Sequence, residues 1–173
     1  SSLTSIIIPD NVTSIDNNAF KECSSLTSVI IPNSVTSIGN RAFSRCSSLT
    51  SIMIPNSVTS IHNSTFYGCS SLTNITIPDS ITNIEGYAFS ECSSLTNVTI
   101  PKNVIMIDYY AFSGCSNLES ITLNNTILDI GDWVFDNCPN LKKLIIAGGV
   151  TSISWNKIYE CSSLTSVTIL DGV

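Results

Sequence analysis

Residues Cys23 to Arg45 read CSSLTSVIIPNSVTSIGNRAFSR, and the pattern of this stretch returns every 23 residues from one end of the chain to the other. Leu3, Leu26, Leu49, Leu72, Leu95, Leu118, Leu141 and Leu164 keep that phase, as do Cys23, Cys46, Cys69, Cys92, Cys115, Cys138 and Cys161, with no insertion or deletion between them. Self-similarity at a period of about 20 to 50 residues marks a solenoid, in which each rung touches only its neighbours. Residues 1–173 therefore read as a single array of about 7.5 repeats.

Within the unit, Leu26, Val29, Ile31, Val35, Ile38, Ala42, Phe43 and Cys46 form the candidate core. Val29 and Ile31 alternate with Ser28 and Ile30, the period-2 pattern of a strand with one buried face. Pro32 ends the strand by withholding a ladder donor, and Asn33 and Ser34 supply turn chemistry. Val35 to Ile38 offers a second short extended stretch, and Gly39, Asn40 and Arg41 a second turn. Arg41 to Cys46 has room for one 3₁₀ or α turn and is too short for an independent helix. The fold class expected is thus a mostly β solenoid with short turns or 3₁₀ segments, stacked on a parallel sheet.

The pattern LxxVxIPxSVxxIGxxAFxxC, from Leu26 to Cys46, resembles the BspA-like (Treponema-type) leucine-rich repeat over the entire chain. The resemblance implies a right-handed coil with a parallel β-sheet on one face, found in surface proteins linked to adhesion. Later units depart from the pattern: Pro32 is replaced by Asn124, Ala147 and Leu170, Ala42 by Val134 and Lys157, and Phe43 by Ile158. The geometry beyond Asn124 is accordingly less tightly specified.

Composition excludes several function classes. Charged residues make up 12% of the chain, the net charge is −6, and the few Lys and Arg form no basic stripe for a nucleic acid backbone. The apolar runs, such as Val29 to Ile31 and Leu144 to Ala147, fall far short of the roughly 20 residues of a membrane span, so direct membrane insertion is not expected. Ser1 corresponds to Ser24 and Val173 to Val35, so both ends fall inside a repeat and no polar-faced capping unit is visible, which leads to the expectation of a fragment of a longer chain. Neighbouring rungs could bring cysteines within disulfide range, but their number is odd and each sits in the apolar pattern. A structural ladder of buried thiols is the expectation. Neither CxxC spacing nor a partnering histidine supports zinc, and no cofactor is expected.

His62 is the sole histidine, and no Ser-His-acid or Cys-His order, Gly-rich phosphate loop or recurring calcium-binding set accompanies it. It reads as decorating a turn, and the chain as no enzyme. Asn11, Asn63, Asn74, Asn97 and Asn124 open glycosylation sequons, which a chain rich in Asn, Ser and Thr also produces by chance.

The columns that vary between repeats identify the surface. The triplet after each Val-x-x-Ile runs from Asp16-Asn17-Asn18 through Glu85-Gly86-Tyr87 and Asp108-Tyr109-Tyr110 to Ser154-Trp155-Asn156. At a rung spacing of about 5 Å, Tyr87, Tyr110 and Trp133 should form an aromatic ladder flanked by Tyr109 and Trp155. Such rings serve either as interface anchors or as packing on one another, and both readings stay open. Asn17, Asn40 and Asn63 should form a hydrogen-bonded Asn ladder. The outward strand column, with Met53, Thr76, Thr99 and Thr122, lies beside a second column with Asn74 and Asn97, and together they form a small, weakly polar face able to accept an extended partner.

These features lead to a non-catalytic protein-binding or adhesion module, cell-surface or secreted, whose partner is a host or matrix protein. The alternative is a structural scaffold whose partners are neighbouring subunits of an assembly or filament, including a cytoplasmic one. A minor alternative, an ice-binding solenoid, comes from the column Thr4, Thr27, Thr50, Thr73 and Thr96, which Glu119 and Lys142 interrupt.

Overall fold

Alternation becomes geometry in Ser28-Val29-Ile30, where Val29 is 6% exposed and Ile30 60%. The computed structural model describes residues 2–123, 129–146 and 161–169. Each complete rung contributes two short strands. The first strands are β1 (Ser5–Ile7), β3 (Ser28–Ile30), β5 (Ser51–Met53), β7 (Asn74–Thr76), β9 (Asn97–Thr99), β11 (Ser120–Leu123), β13 (Lys143–Ile146) and β14 (Ser166–Ile169). The second strands are β2 (Ser14–Ile15), β4 (Ser37–Ile38), β6 (Ser60–Ile61), β8 (Asn83–Ile84), β10 (Met106–Ile107) and β12 (Asp129–Ile130).

Every recorded pairing is parallel and joins a residue to its equivalent one repeat later, as in Ser5 with Ser28, Ser51 with Asn74 and Ile84 with Ile107. β12, β13 and β14 hold the same register, so the replacement of proline beyond Pro101 does not break the strand ladder. The replacements Asn124, Ala147, Lys157, Ile158 and Leu170 lie outside the described residues. Between the two strands of a rung, the N–H of Val12, Val35, Val58, Ile81 or Val104 donates to the carbonyl of the proline three residues earlier. Proline thus ends one strand and accepts the bond that closes the following turn.

The segment from Gly39 to Cys46 differs from the 3₁₀ or α turn expected there. The N–H groups of Ala42, Ser44 and Cys46 donate within the rung, to Gly39, Arg41 and Phe43, whereas those of Arg41, Phe43 and Arg45 donate to Asn63, Thr65 and Tyr67 of the next rung. Arg41 and Arg45 have φ values of 56° and 59°, in the left-handed region. Each left-handed residue reorients the peptide, so alternate N–H groups point along the rod and a helix cannot propagate. This side of the rung is therefore a third hydrogen-bonded ladder. Among the described residues the rungs contain strands and turns and no helix.

Phe20, Phe43, Phe66, Phe89, Phe112 and Phe135 stack through the interior with ring centroids 5.2 to 6.2 Å apart. Leu26, Val35, Ile38, Ala42 and Cys46 are buried beside them, as are equivalents such as Leu72, Ile81, Ile84, Ala88 and Cys92 two rungs on. Ile31, assigned to the core from sequence, is only half-buried, while its equivalent Ile54 is fully enclosed.

Candidate functional site

The left-handed column at the start of the third ladder is Asn18, Arg41, Ser64, Tyr87, Tyr110 and Trp133, all with φ between 54° and 60°. Such a backbone is unfavourable for bulky side chains, and bonds between rungs hold Tyr87 and Tyr110 there. Tyr87 N–H donates to Tyr109 O at 3.1 Å and Tyr110 N–H to Asp132 O at 3.2 Å. The same column consequently projects its side chains in one repeated direction, and the rings meet face to face.

Tyr87 and Tyr110 stack at 5.1 Å with planes 4° apart, and Tyr110 stacks on Trp133 at 5.5 Å and 12°. Tyr109 stands perpendicular to both tyrosines, 5.3 Å from Tyr87 and 6.3 Å from Tyr110. Its ring folds back over the previous rung at Gly86, where an added Cβ would lie 2.8 Å from the Tyr109 Cζ. The glycine one repeat earlier makes the seat for the ring. Burial first, and then the phenols of Tyr110, Tyr109 and Tyr67, push the Tyr87 hydroxyl above its usual pKa. Tyr109 and Trp133 remain exposed at 40% and 39%. The structure thus brings Tyr87, Tyr109, Tyr110 and Trp133 together as a stacked strip, exposed at Tyr109 and Trp133 and half-buried at Tyr87 and Tyr110, and Trp155 lies outside the described residues.

Met53, Asn74, Thr76, Asn97 and Thr99 are exposed on the ribbon of first strands, and Thr122 is half-buried there. They form two adjacent columns, Met53, Thr76, Thr99 and Thr122 beside Asn74 and Asn97, on a different side of the rung from the rings. Met53 extends an exposed apolar stripe begun by Ile7 and Ile30. Beside it, the hydroxyls of Thr27, Thr50 and Thr73 donate to the carbonyls of Thr4, Thr27 and Thr50. The stripe of threonine oxygens is therefore bonded into its own backbone, and Glu119 and Lys142 interrupt it as an ion pair at 3.6 Å.

The thiols of Cys46, Cys69, Cys92, Cys115, Cys138 and Cys161 each donate to the carbonyl of a phenylalanine 26 residues earlier, at 3.1 to 3.4 Å. All seven cysteines are free; Cys23 and Cys161, in the outermost rungs, are half-buried and the other five are enclosed. Burial pushes the thiols of Cys69, Cys92 and Cys115 well up, that of Cys138 to about 12 and that of Cys161 to about 11. No group of three or more His, Cys, Asp and Glu able to hold a metal ion occurs among the described residues. None of them forms a helix long and apolar enough to cross a membrane.

One sequence reading of the turns changes. The Asn ladder has one link, Asn40 N–H to Asn17 Oδ1 at 2.7 Å, after which Asn63 N–H turns to Glu85 Oε2 at 2.9 Å. His62 decorates its turn by pairing with Glu85, Nδ1 to Oε1 at 2.8 Å. That pair was detectable as opposite chemistry one repeat apart. Also missed were Lys21, Arg45 and Tyr67, which line a depression with Arg41 and Tyr87.

Comparison with known proteins agrees with this geometry. The leucine-rich repeat protein of T. pallidum matches with a TM-score of 0.80 at 28% identity, over 95% of this chain and 79% of that one. The pneumococcal vaccine antigen PcpA shares the fold at 16% identity with a TM-score of 0.61, over 98% of this chain and 55% of that one. No curated protein matches. The BspA type leucine rich repeat region is matched in 6 copies over residues 1–116 and 84–173. The chain belongs to the BspA-type leucine-rich repeat family.

Proposed function

We propose that the chain is a non-catalytic protein-binding rod, an adhesion module of a cell-surface or secreted protein, with the strip of Tyr87, Tyr109, Tyr110 and Trp133 as its principal contact. The observation that carries this reading is the stacking of Tyr110 between Tyr87 and Trp133, with Trp133 and the neighbouring Tyr109 exposed. Rings fixed by one another lose little side-chain freedom on binding, and Tyr and Trp are over-represented among residues that dominate interface energies. Family membership supports a repeat-based binding role and the surface location.

The test compares the chain with the double variant Tyr110→Ser, Trp133→Ser for binding to immobilised extracellular-matrix glycoproteins. The expected result is a loss of at least about 2 kcal/mol in binding with the denaturation midpoint little changed. Retained binding with lowered stability would show the strip to be packing, and would move the contact surface to the strand face from Met53 to Thr122.

A further inference from the structure

The aromatic ladder has a beginning. One face of Tyr87 is covered by Tyr110, while the residue in its column one repeat earlier is Ser64, whose side chain is too small to cover the other face. That open face borders a depression of about 320 Å³ lined by Lys21, Arg41, Ser44, Arg45, Tyr67 and Tyr87. Ser64 and Glu22 complete the lining. The size lies at the low end of small-ligand pockets, about 300 to 1,000 Å³.

The chemistry of the walls is mixed in a particular way. Three cationic side chains face one carboxylate, since Glu22 lies 3.8 Å from Lys21 and 3.9 Å from Arg45. Arg45 also sits over the Tyr67 ring, 5.8 Å from its centroid, which leaves Arg41 with no ion pair among the described residues. Ser44, 3% exposed, forms part of the floor of the depression. An open ring face beside a guanidinium without an ion pair fits a polar ligand with a flat apolar side. Its negative π face attracts polarised C–H groups, and a planar guanidinium matches a carboxylate through two parallel bonds.

We propose that this depression is a subsite for a carboxylate-bearing sugar, a uronic acid residue of an acidic glycan. The pyranose lies on the open face of Tyr87, its carboxylate meets Arg41, and its ring hydroxyls reach Ser44. This goes beyond the protein-facing role, because it uses neither Tyr110 nor Trp133.

The experiment is a titration of the whole chain with methyl glucuronide, followed by the ring proton resonances of Tyr67 and Tyr87. Methyl glucoside, the neutral ring, and acetate, the carboxylate without a ring, are titrated in parallel. Saturable shifts with the glucuronide, and affinities at least about tenfold lower for both controls, are the expected result. Arg41→Gln and Tyr87→Ser should each weaken the glucuronide by about tenfold, and Arg41→Gln is exposed enough to leave the fold intact. Equal affinity for acetate or for the glucoside, wild-type affinity in Arg41→Gln, or no saturable shift would each overturn the proposal. Trp133→Ser alone, which keeps Tyr110 stacked on Tyr87, should weaken protein binding and leave this titration unchanged, so the two readings fail separately.

Discussion

The Cys92 thiol donates to the carbonyl oxygen of Phe66 at 3.2 Å, and the same oxygen accepts the N–H of Cys69 at 3.1 Å. A carbonyl has two lone pairs, and here both are used although the group lies inside the array. Cysteine suits the column because it is small and apolar and still carries a weak donor. Cys92→Ala should therefore cost about 1 to 3 kcal/mol, from the lost packing and the unfilled lone pair, measured by urea denaturation. A cost near zero would show that the thiol bond contributes nothing.

Alkaline pH should unfold the rod through the same column. Burial raises the Cys46 and Cys138 thiols from 9.0 to about 12 and Cys161 to about 11, so the folded state holds protons that the unfolded chain releases. Their contribution is full below pH 9 and is lost as the pH rises through 11 to 12, so the melting temperature should fall across that window. A melting temperature flat to pH 12 would contradict the assignment.

Phe66 and Phe89 are fully buried between stacked neighbours. Truncating either to alanine should cost about 3 to 5 kcal/mol by leaving a cavity in the middle of the core. An unchanged denaturant midpoint would remove this column from the interior.

Gly114 has φ +72°, and a Cβ there would meet the Glu91 carboxyl carbon at 2.9 Å. Glu91 itself has φ 61° in the same column. Gly114→Ala should then destabilise by about 1 to 2 kcal/mol, while Glu91→Gly should be neutral or stabilising by up to about 1 kcal/mol. Equal effects of the two exchanges in thermal melts would show that backbone strain does not govern this column.

Met53 is 78% exposed and Ile30 lies one rung away on the same outward face. Replacing both by threonine should change stability by no more than about 0.5 kcal/mol in denaturation. A larger loss would mean that the stripe is covered.

Most of the fold was readable because a strict 23-residue phase places every Leu, Cys and Phe in a column before any contact is known. The same arithmetic placed Tyr87, Tyr110 and Trp133 in register. What it hid depends on backbone torsion. Arg41-Ala-Phe-Ser-Arg-Cys46 has the residue types of a helical turn, and nothing in them announces two left-handed residues four positions apart. The thiol bonds escaped notice because they reach 26 residues back, one repeat plus three, and so cross columns. The perpendicular setting of Tyr109 depends on the missing side chain of Gly86, a vacancy that periodicity alone does not reveal.

Three kinds of ladder link rungs among the described residues: paired first strands, paired second strands and the alternating turn string. A single inserted or deleted residue would put at least one ladder out of step with the others, exposing donors and carbonyls along that side. Descent can therefore lengthen or shorten such a rod smoothly only in whole units, by duplication or loss of 23 residues at a time. Novelty arises instead by point substitution within the variable columns, as when Ser64, Tyr87 and Trp133 succeed one another on an unchanged backbone.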